Sequence, residues 1–260
     1  MSITPLPRIT FDTNACNVIH DPAKWPTLVA PDDARKIRTA ITDGQIAGFV
    51  SEGSLFVECL SFPDKLAYLA VAGTPEGERP APKSPAVARF SDLGKIGMKL
   101  LHAPLIGAEI FIDSLEWAKD EVFDAKDRHE RFCEFARPLG GRQKLQECGE
   151  ALEQKHPQFF GKTKVRGPIT WLKAFRRAWD NSDAAGQKAL RSKVGPVIGE
   201  WCDGLILGSH VGYGNDVFCT TDEGGNAGST SVLHKSNRAN LNAQGISLMN
   251  PAELVKKYGL

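Results

Sequence analysis

Short apolar segments alternate with helix-like segments at both ends of the chain, and this order constrains the fold more than any other feature of the sequence. Residues 9–11 and 46–50 are apolar runs typical of buried strands, and each leads into a helix-like segment. Residues 217–220 and 246–248 have the same character, and Pro251 then stands at the favoured first position of a helix. Strands separated by helices predict a parallel sheet with helices on both faces, which is a three-layer α/β/α fold.

The middle of the chain is richer in helix-like sequence than its two ends. A proline-rich loop is predicted near residues 73–85, a buried strand over 105–112, and a charged helical segment from 113 to about 155 that is broken at 138–141. Further helices are predicted over 169–179, 184–194 and 196–209. We therefore predict a single domain over residues 1–260, in which the middle region 63–195 includes a helical insertion.

Composition excludes several classes of protein. The chain has 260 residues with 32 Lys and Arg against 31 Asp and Glu, so its formal charge of +1 argues against a histone-like nucleic-acid binder. No segment approaches the roughly 20 apolar residues of a membrane-spanning helix, and the N-terminus lacks a signal-peptide pattern. We expect a cytoplasmic protein with no membrane partner. The six cysteines stand singly, which argues against a structural zinc site and favours reduced thiols.

Four acidic residues occupy informative places in this pattern. Asp12 follows the first predicted strand, Glu58 lies in the helix after the second, Asp203 heads the apolar run GLILG, and Asp222 follows the strand at 217–220. Ligands of open parallel sheets bind outside the carboxyl ends of the strands, where such residues collect. Clustered carboxylates need protons or a hard divalent cation, of which Mg²⁺ and Mn²⁺ are the natural choices. The alternative for each single Asp is an ordinary helix cap or turn residue.

The same acidic residues lie in segments that resemble the PIN-domain family. Asp12-Thr13-Asn14 is similar to its opening motif, FVSEGSLFVECL to its second strand and helix, and DGLILGSHVGYGNDVFCTTD to the block that holds its last two acids. The ending GISLMNPAELVKKYG is similar to its last strand and helix. The resemblance covers residues 5–60 and 195–260. PIN domains are metal-dependent ribonucleases and include the toxins of many bacterial toxin–antitoxin pairs.

The resemblance implies a Mg²⁺- or Mn²⁺-dependent endoribonuclease, a hydrolase of RNA phosphodiester bonds. It places the metal on Asp12, Glu58, Asp203 and Asp222, with Glu52 as a rival to Glu58, and it has Asp203 begin a helix. Asn14 and Thr220 would orient the carboxylates or contact phosphate. An RNA substrate, a protein antitoxin or regulator, and a homo-oligomer are the partners that it implies.

Several other features of the sequence have a functional or a structural interpretation. A basic segment is a candidate RNA contact through Lys162, Lys164, Arg166, Lys173, Arg176 and Arg177. Trp171, Phe175 and Trp179 recur every four residues within it, which predicts a buried helix stripe. His20, His210, Asp216 and Glu223 are interpreted as structural or solvent-facing. The alternatives to the nuclease are a catalytically inactive PIN-like scaffold for RNA or protein, and a phosphatase, which is disfavoured because Asp12 is followed by Thr13-Asn14.

Overall fold

The structure is a computed structural model that describes residues 5–71, 84–104, 112–139, 142–155, 168–222 and 231–260. Its strands are β1 (Arg8–Phe11), β2 (Ala47–Ser51), β3 (Lys99–Leu101), β4 (Glu116–Trp117), β5 (Val217–Cys219) and β6 (Leu248–Met249). Its helices are α1 (Thr13–His20), α2 (Pro31–Thr42), α3 (Glu52–Cys59), α4 (Phe62–Val71), α5 (Ser84–Lys95), α6 (Ala125–Ala136), α7 (Arg142–Lys155), α8 (Pro168–Asp180), α9 (Ala184–Tyr213), α10 (Arg238–Ala243) and α11 (Pro251–Tyr258). Two short 3₁₀ turns lie at Arg137–Leu139 and Lys235–Asn237.

Within these ranges the six strands form one parallel sheet in the order β4-β3-β2-β1-β5-β6. The three-layer α/β/α prediction is therefore confirmed, with the extra helices between β4 and β5. Alternate residues of a strand face opposite layers. Accordingly, Val217 and Cys219 pack in the large core cluster, whereas Phe218 packs in a second cluster with Leu207 of α9.

The strands at the β4 end of the sheet differ from the prediction. The strand that pairs with β2 is β3, in which Leu100 lies opposite Val50, and β4 extends the sheet beyond it. Neither was predicted, because strands of three and two residues are too short to show a period. The predicted strand at 105–112 lies outside the described residues except for Ile112, which is buried but not in a strand. The predicted loop near 73–85 also falls mostly outside them.

Helix α9 is continuous, and the prediction of two separate helices over 184–194 and 196–209 was wrong. Pro196 lies inside it. An internal proline removes one hydrogen bond and costs about 3 kcal/mol. Val194 and Ile198, on either side of Pro196, are both buried in the core. We attribute the uninterrupted helix to this burial, because each buried aliphatic side chain contributes about 1.5 to 3 kcal/mol.

Helix ends follow the local sequence closely. The side chain of Asp183 accepts a hydrogen bond from the backbone N–H of Gly186 and caps α9. Asn250 and Glu253 form a reciprocal capping box at the start of α11, where Pro251 holds the first position as predicted. No helix within the described ranges is long and apolar enough to cross a membrane.

Candidate functional site

The connections of the sheet reverse direction between β1 and β5. From β1 the chain continues to β2, β3 and β4 on one side, whereas β5 and β6 lie on the other. The carboxyl ends of the two strands at such a reversal leave a crevice in which α/β proteins bind their ligands. Asp12 follows β1 directly, and Asp222 lies three residues beyond β5. Two of the predicted acids are therefore at the position where this fold places a ligand.

Asp12 is buried and held at both oxygens. Its Oδ1 accepts a hydrogen bond of 2.6 Å from the backbone N–H of Ala15, which makes it the N-cap of α1. Its Oδ2 accepts a hydrogen bond from the hydroxyl of Thr220. Burial nevertheless raises the pKa of Asp12 to about 6, with a further contribution from the charge of Asp222, against the opposing effect of these hydrogen bonds. Asp12 is both a cap and a candidate ligand, so these interpretations are compatible.

Thr220 connects the two strand ends. Its oxygen accepts a hydrogen bond of 2.9 Å from the backbone N–H of Asp222, while its hydroxyl donates to Asp12. The predicted orienting role of Thr220 therefore has a structural basis. Asn14 is exposed and lines the cavity that Asp12 also lines.

Asp203 reaches the same cavity from α9. The cavity has a volume of about 260 Å³ and is lined by Asp12, Asp203 and Asp222 among others. Burial raises the pKa of Asp203 to about 8, and the charges of Glu200, Asp222 and Asp12 add to this effect. The charge of Asp222 thus opposes the ionisation of both Asp12 and Asp203, as expected for acids that line one poorly solvated site.

The position of Asp203 within its helix differs from the prediction. It was expected to begin a helix, but it lies well inside α9, which starts at Ala184. The 18 residues between Asp203 and Asp222 do contain the predicted helix end, turn and strand. Helix α9 ends at Tyr213, Gly214 follows in the left-handed conformation with φ of +60°, and β5 comes next.

The fourth predicted acid is Glu58, with Glu52 as its rival. Glu58 belongs to α3, but its side chain lies outside the part of the chain that the structure describes. Its rival Glu52 does not line the cavity with Asp12. The Oε2 atom of Glu52 instead lies 2.9 Å from Nδ1 of His102 and accepts a hydrogen bond of 2.8 Å from the backbone N–H of Ala103.

Positive and aromatic side chains complete the cavity, and sequence reasoning missed them. Lys65 of α4 and Arg191 of α9 line it together with Phe62. The guanidinium of Arg191 lies 5.5 Å from the centre of the Phe62 ring, a cation–π distance. Lys65 and Arg191 are more than 120 positions apart in the sequence, and no local motif marks either cation.

The donor chemistry of the cavity suits a hard cation, although the acids are not arranged as a closed metal centre. Among the described residues, no three or more Asp, Glu, His or Cys side chains come together closely enough to hold a metal ion. Mg²⁺ commonly binds proteins through only one or two carboxylates and keeps several waters. Asp12, Asp203 and Asp222 supply such oxygen atoms, and a cation would offset both the burial and the smaller charge repulsion that raise the pKa values of Asp12 and Asp203.

The basic segment is only partly described. Lys162, Lys164 and Arg166 lie outside the described residues. Lys173 and Arg177 are exposed on α8, whereas Arg176 forms an ion pair with Asp64 at 2.9 Å. Trp171 and Phe175 are fully buried with ring centres 5.2 Å apart, so the predicted core role of the aromatic stripe is confirmed for these two.

The two histidines near the proposed site do not line the cavity. His210 is buried in α9, its Nδ1 lies 3.0 Å from the hydroxyl of Thr10, and burial lowers its pKa to about 3. Its structural interpretation is therefore supported. His20 is half-buried at the end of α1. Asp216 is exposed as predicted, and Glu223 lies outside the described residues.

Comparisons with known proteins add no family assignment. No family model matches the chain. No curated protein and no solved structure shows significant similarity to it.

Proposed function

We propose that the protein is a PIN-like endoribonuclease that depends on Mg²⁺ or Mn²⁺. The observation that carries this proposal is the shared cavity of Asp12, Asp203 and Asp222 at the point where the sheet connections reverse. The resemblance of these same residues to the PIN motifs supplies the reaction class. Glu58 is retained as a fourth acid of the proposed site.

Asp12 and Asp222 would hold the cation from the two strand ends, and Asp203 from α9. A bound Mg²⁺ or Mn²⁺ would make a water molecule easier to deprotonate, and so a better nucleophile toward phosphorus, and would offset the negative charge that develops on the phosphate. Thr220 holds one oxygen of Asp12, and the Ala15 N–H holds the other, so this carboxylate is oriented before any ligand arrives.

The cations of the cavity favour a polyanionic substrate. Lys65 and Arg191 place positive charge on the same cavity, where it attracts the phosphates on either side of the reacting group. Phe62 is half-buried beside Arg191 and offers a ring face for an unpaired base. A cavity lined by both acids and cations suits phosphodiester chemistry better than it suits a small neutral ligand.

The alternative is a catalytically inactive PIN-like scaffold that binds RNA or a protein partner. One observation favours it, namely that no three metal-binding side chains are gathered among the described residues. The nuclease remains our first proposal, because an inactive scaffold has no need to keep two carboxyl groups buried with raised pKa values.

Cleavage of RNA by the purified protein tests the proposal. An end-labelled single-stranded RNA is incubated with Mg²⁺, with Mn²⁺ or with EDTA, using the parent, Asp12→Asn and the exposed control Asp32→Asn. We expect cleavage only with a cation, a loss of at least about 100-fold in Asp12→Asn, and parental activity in Asp32→Asn. Equal rates for the parent and Asp12→Asn would refute the proposal. Hydrolysis of p-nitrophenyl phosphate without RNA cleavage would favour the phosphatase instead.

Binding of Mn²⁺ separates the nuclease from the scaffold. Isothermal titration should show a site that is lost in Asp12→Asn and kept in Asp32→Asn. If Mn²⁺ binds neither the parent nor the control, the scaffold is favoured. An antitoxin partner and self-association are further predictions of the resemblance, which co-purification and light scattering can test.

A further inference from the structure

A histidine and a buried carboxylate are paired away from the Asp12 cavity. Ser51 of β2 and Leu101 of β3 are partners in the parallel register, so the residues that follow them, Glu52 and His102, lie side by side. Glu52 is fully buried, and its Oε2 lies 2.9 Å from Nδ1 of His102. The Oε1 atom of Glu52 is buried without a hydrogen-bond partner. Such a carboxylate is expensive to bury, by several kcal/mol, and packing alone does not call for it.

The pairing fixes the orientation of the imidazole. Nδ1 of His102 faces Oε2 of Glu52, so Nε2 lies on the far side of the ring and is directed away from this carboxylate. The side chain of His102 is 34% exposed. Its backbone is also held, because its N–H lies 3.3 Å from the hydroxyl of Tyr213 and its carbonyl accepts a hydrogen bond from Ser209. His102 therefore presents one nitrogen in a defined direction.

His102 lines a second cavity, whose volume is about 550 Å³. Trp117 lines it as well, half-buried, with its ring edge-to-face with the imidazole at 5.6 Å between centres. Lys119 is exposed at the same cavity. Arg128 lies over the Tyr213 ring at 4.7 Å and forms an ion pair with Asp120. The volume suits a ligand of nucleotide size.

The side chains of this cavity combine a partly exposed aromatic ring with cationic groups. An aromatic face stacks with a planar heterocycle, and a cation meets an anionic oxygen. The charge of Arg128 is already balanced by its ion pair with Asp120. Lys119 and His102 are therefore the groups of this cavity that we expect to contact an anion. A planar base that carries a phosphate has both of the required features.

We propose that the cavity lined by His102, Trp117 and Lys119 is a second ligand site that binds a nucleoside monophosphate group. The base stacks on Trp117, and the phosphate lies between Nζ of Lys119 and Nε2 of His102. The imidazole then lies between the Glu52 carboxylate, 2.9 Å from Nδ1, and the phosphate of the ligand. Neither the cavity nor its lining residues belong to the Asp12 site, and the proposal does not depend on the nuclease.

Calorimetric titration of the full chain with AMP tests the site, in EDTA so that the Asp12 cavity takes no metal. The variants are His102→Asn, Lys119→Ala and Trp117→Leu. The control is Lys126→Ala, since Lys126 is an exposed lysine seven positions from Lys119 that does not line the cavity. We expect one AMP per chain, and adenosine to bind at least about tenfold more weakly. His102→Asn should weaken AMP binding by about tenfold or more, and Lys126→Ala should bind as the parent does.

The imidazole NMR signals of the parent provide a second test, which does not depend on a variant folding correctly. AMP should shift the ring signals of His102 and leave those of His234, which lies in a different part of the chain, unchanged. A 5′-phosphorylated trinucleotide distinguishes the source of the group: tighter binding than AMP assigns the site to a strand end, and weaker binding assigns it to a free nucleotide. No binding of AMP at millimolar concentration, unchanged affinity in His102→Asn, or binding that leaves the His102 signals in place would each overturn the proposal.

Discussion

The hydroxyl of Thr220 donates a hydrogen bond to Oδ2 of Asp12 and so joins the carboxyl ends of β5 and β1 through their side chains. The same oxygen atom of Thr220 accepts the backbone N–H of Asp222. The Thr220 hydroxyl therefore orients the side chain of Asp12 and holds the backbone at Asp222. Partners of this kind decide whether carboxylates at a strand edge point at one ligand.

Thr220→Val should reduce RNA cleavage while leaving the fold intact. Valine keeps the shape of threonine but removes the hydroxyl, so Asp12 loses its Oδ2 partner and the Asp222 N–H loses its acceptor. Loss of such an orienting group typically costs about 10- to 100-fold in metal affinity or activity. Single-turnover cleavage and Mn²⁺ titration measure the two effects. Thr220→Ser keeps the hydroxyl and is the matched control; equal activity of the valine variant and the parent would contradict the role of Thr220.

Burial of Asp203 should make the metal-free protein less stable as pH rises from about 4 to about 8. The carboxyl of the unfolded chain loses its proton near its ordinary pKa of 3.8, whereas the folded protein holds that proton up to a pKa of about 8. Between these values the unfolded state binds fewer protons, so the free energy of unfolding falls with rising pH. Asp12, with a pKa of about 6, contributes in the same direction.

Asp203→Asn removes the Asp203 part of this loss. Its free energy of unfolding, relative to that of the parent, should increase by about 3 kcal/mol between pH 5 and pH 8, since each pH unit below the folded pKa contributes about 1.4 kcal/mol. Urea unfolding in EDTA at the two pH values measures the difference, with the parent unfolded in parallel. An advantage of the variant that shrinks with rising pH would show that Asp203 is not buried as described.

Lys65→Ala and Arg191→Ala should weaken substrate binding more than they slow the chemical step. Both cations line the cavity. In the proposed nuclease their charge would act on the phosphates of the substrate. We expect KM for a short RNA to rise about threefold to tenfold for each variant and its salt dependence to flatten. Lys188→Ala is the control, since Lys188 is an exposed residue of α9 that does not line the cavity. A fall in kcat with KM unchanged would place these cations at the reacting group instead.

Gly53→Ala should destabilise the contact between α3 and α9. A methyl group at Gly53 would lie 2.9 Å from Cγ1 of Ile206 and 3.0 Å from Cβ of Leu205, which is closer than packed atoms approach. Overpacking of this kind costs about 1 to 3 kcal/mol. Gly195→Ala in α9 is the control, because a methyl group there would meet nothing within 4 Å, and it should stabilise by about 0.5 to 1 kcal/mol. Thermal unfolding of both variants distinguishes the expectations.

The strand-end acids could be predicted because their positions follow from local sequence. Asp12 and Asp222 each stand shortly after an apolar run, and parallel strands bring such positions to one edge. Asp203 was found through its motif, but Pro196 led to a false helix boundary before it, since local sequence does not show how strongly the flanking residues are buried.

The cations and the partner of Glu52 could not be predicted in this way. Lys65, Arg191 and His102 meet their partners only through the tertiary fold, and nothing near them in sequence distinguishes them from surface residues. Glu52 lies 50 residues from His102, and their contact depends on the pairing of β2 with a three-residue strand. Strands this short are defined by their neighbours in the sheet rather than by their own composition.

Helix α9 contributes to both cavities. It carries Arg191 and Asp203 on the first and Tyr213 on the second, and at 30 residues it is about 45 Å long. A helix that is packed along its length moves as one rigid element, so a displacement near its middle also moves its end. Ligands in the two cavities would therefore contact the same helix. Binding at one cavity would then be coupled to binding at the other through α9.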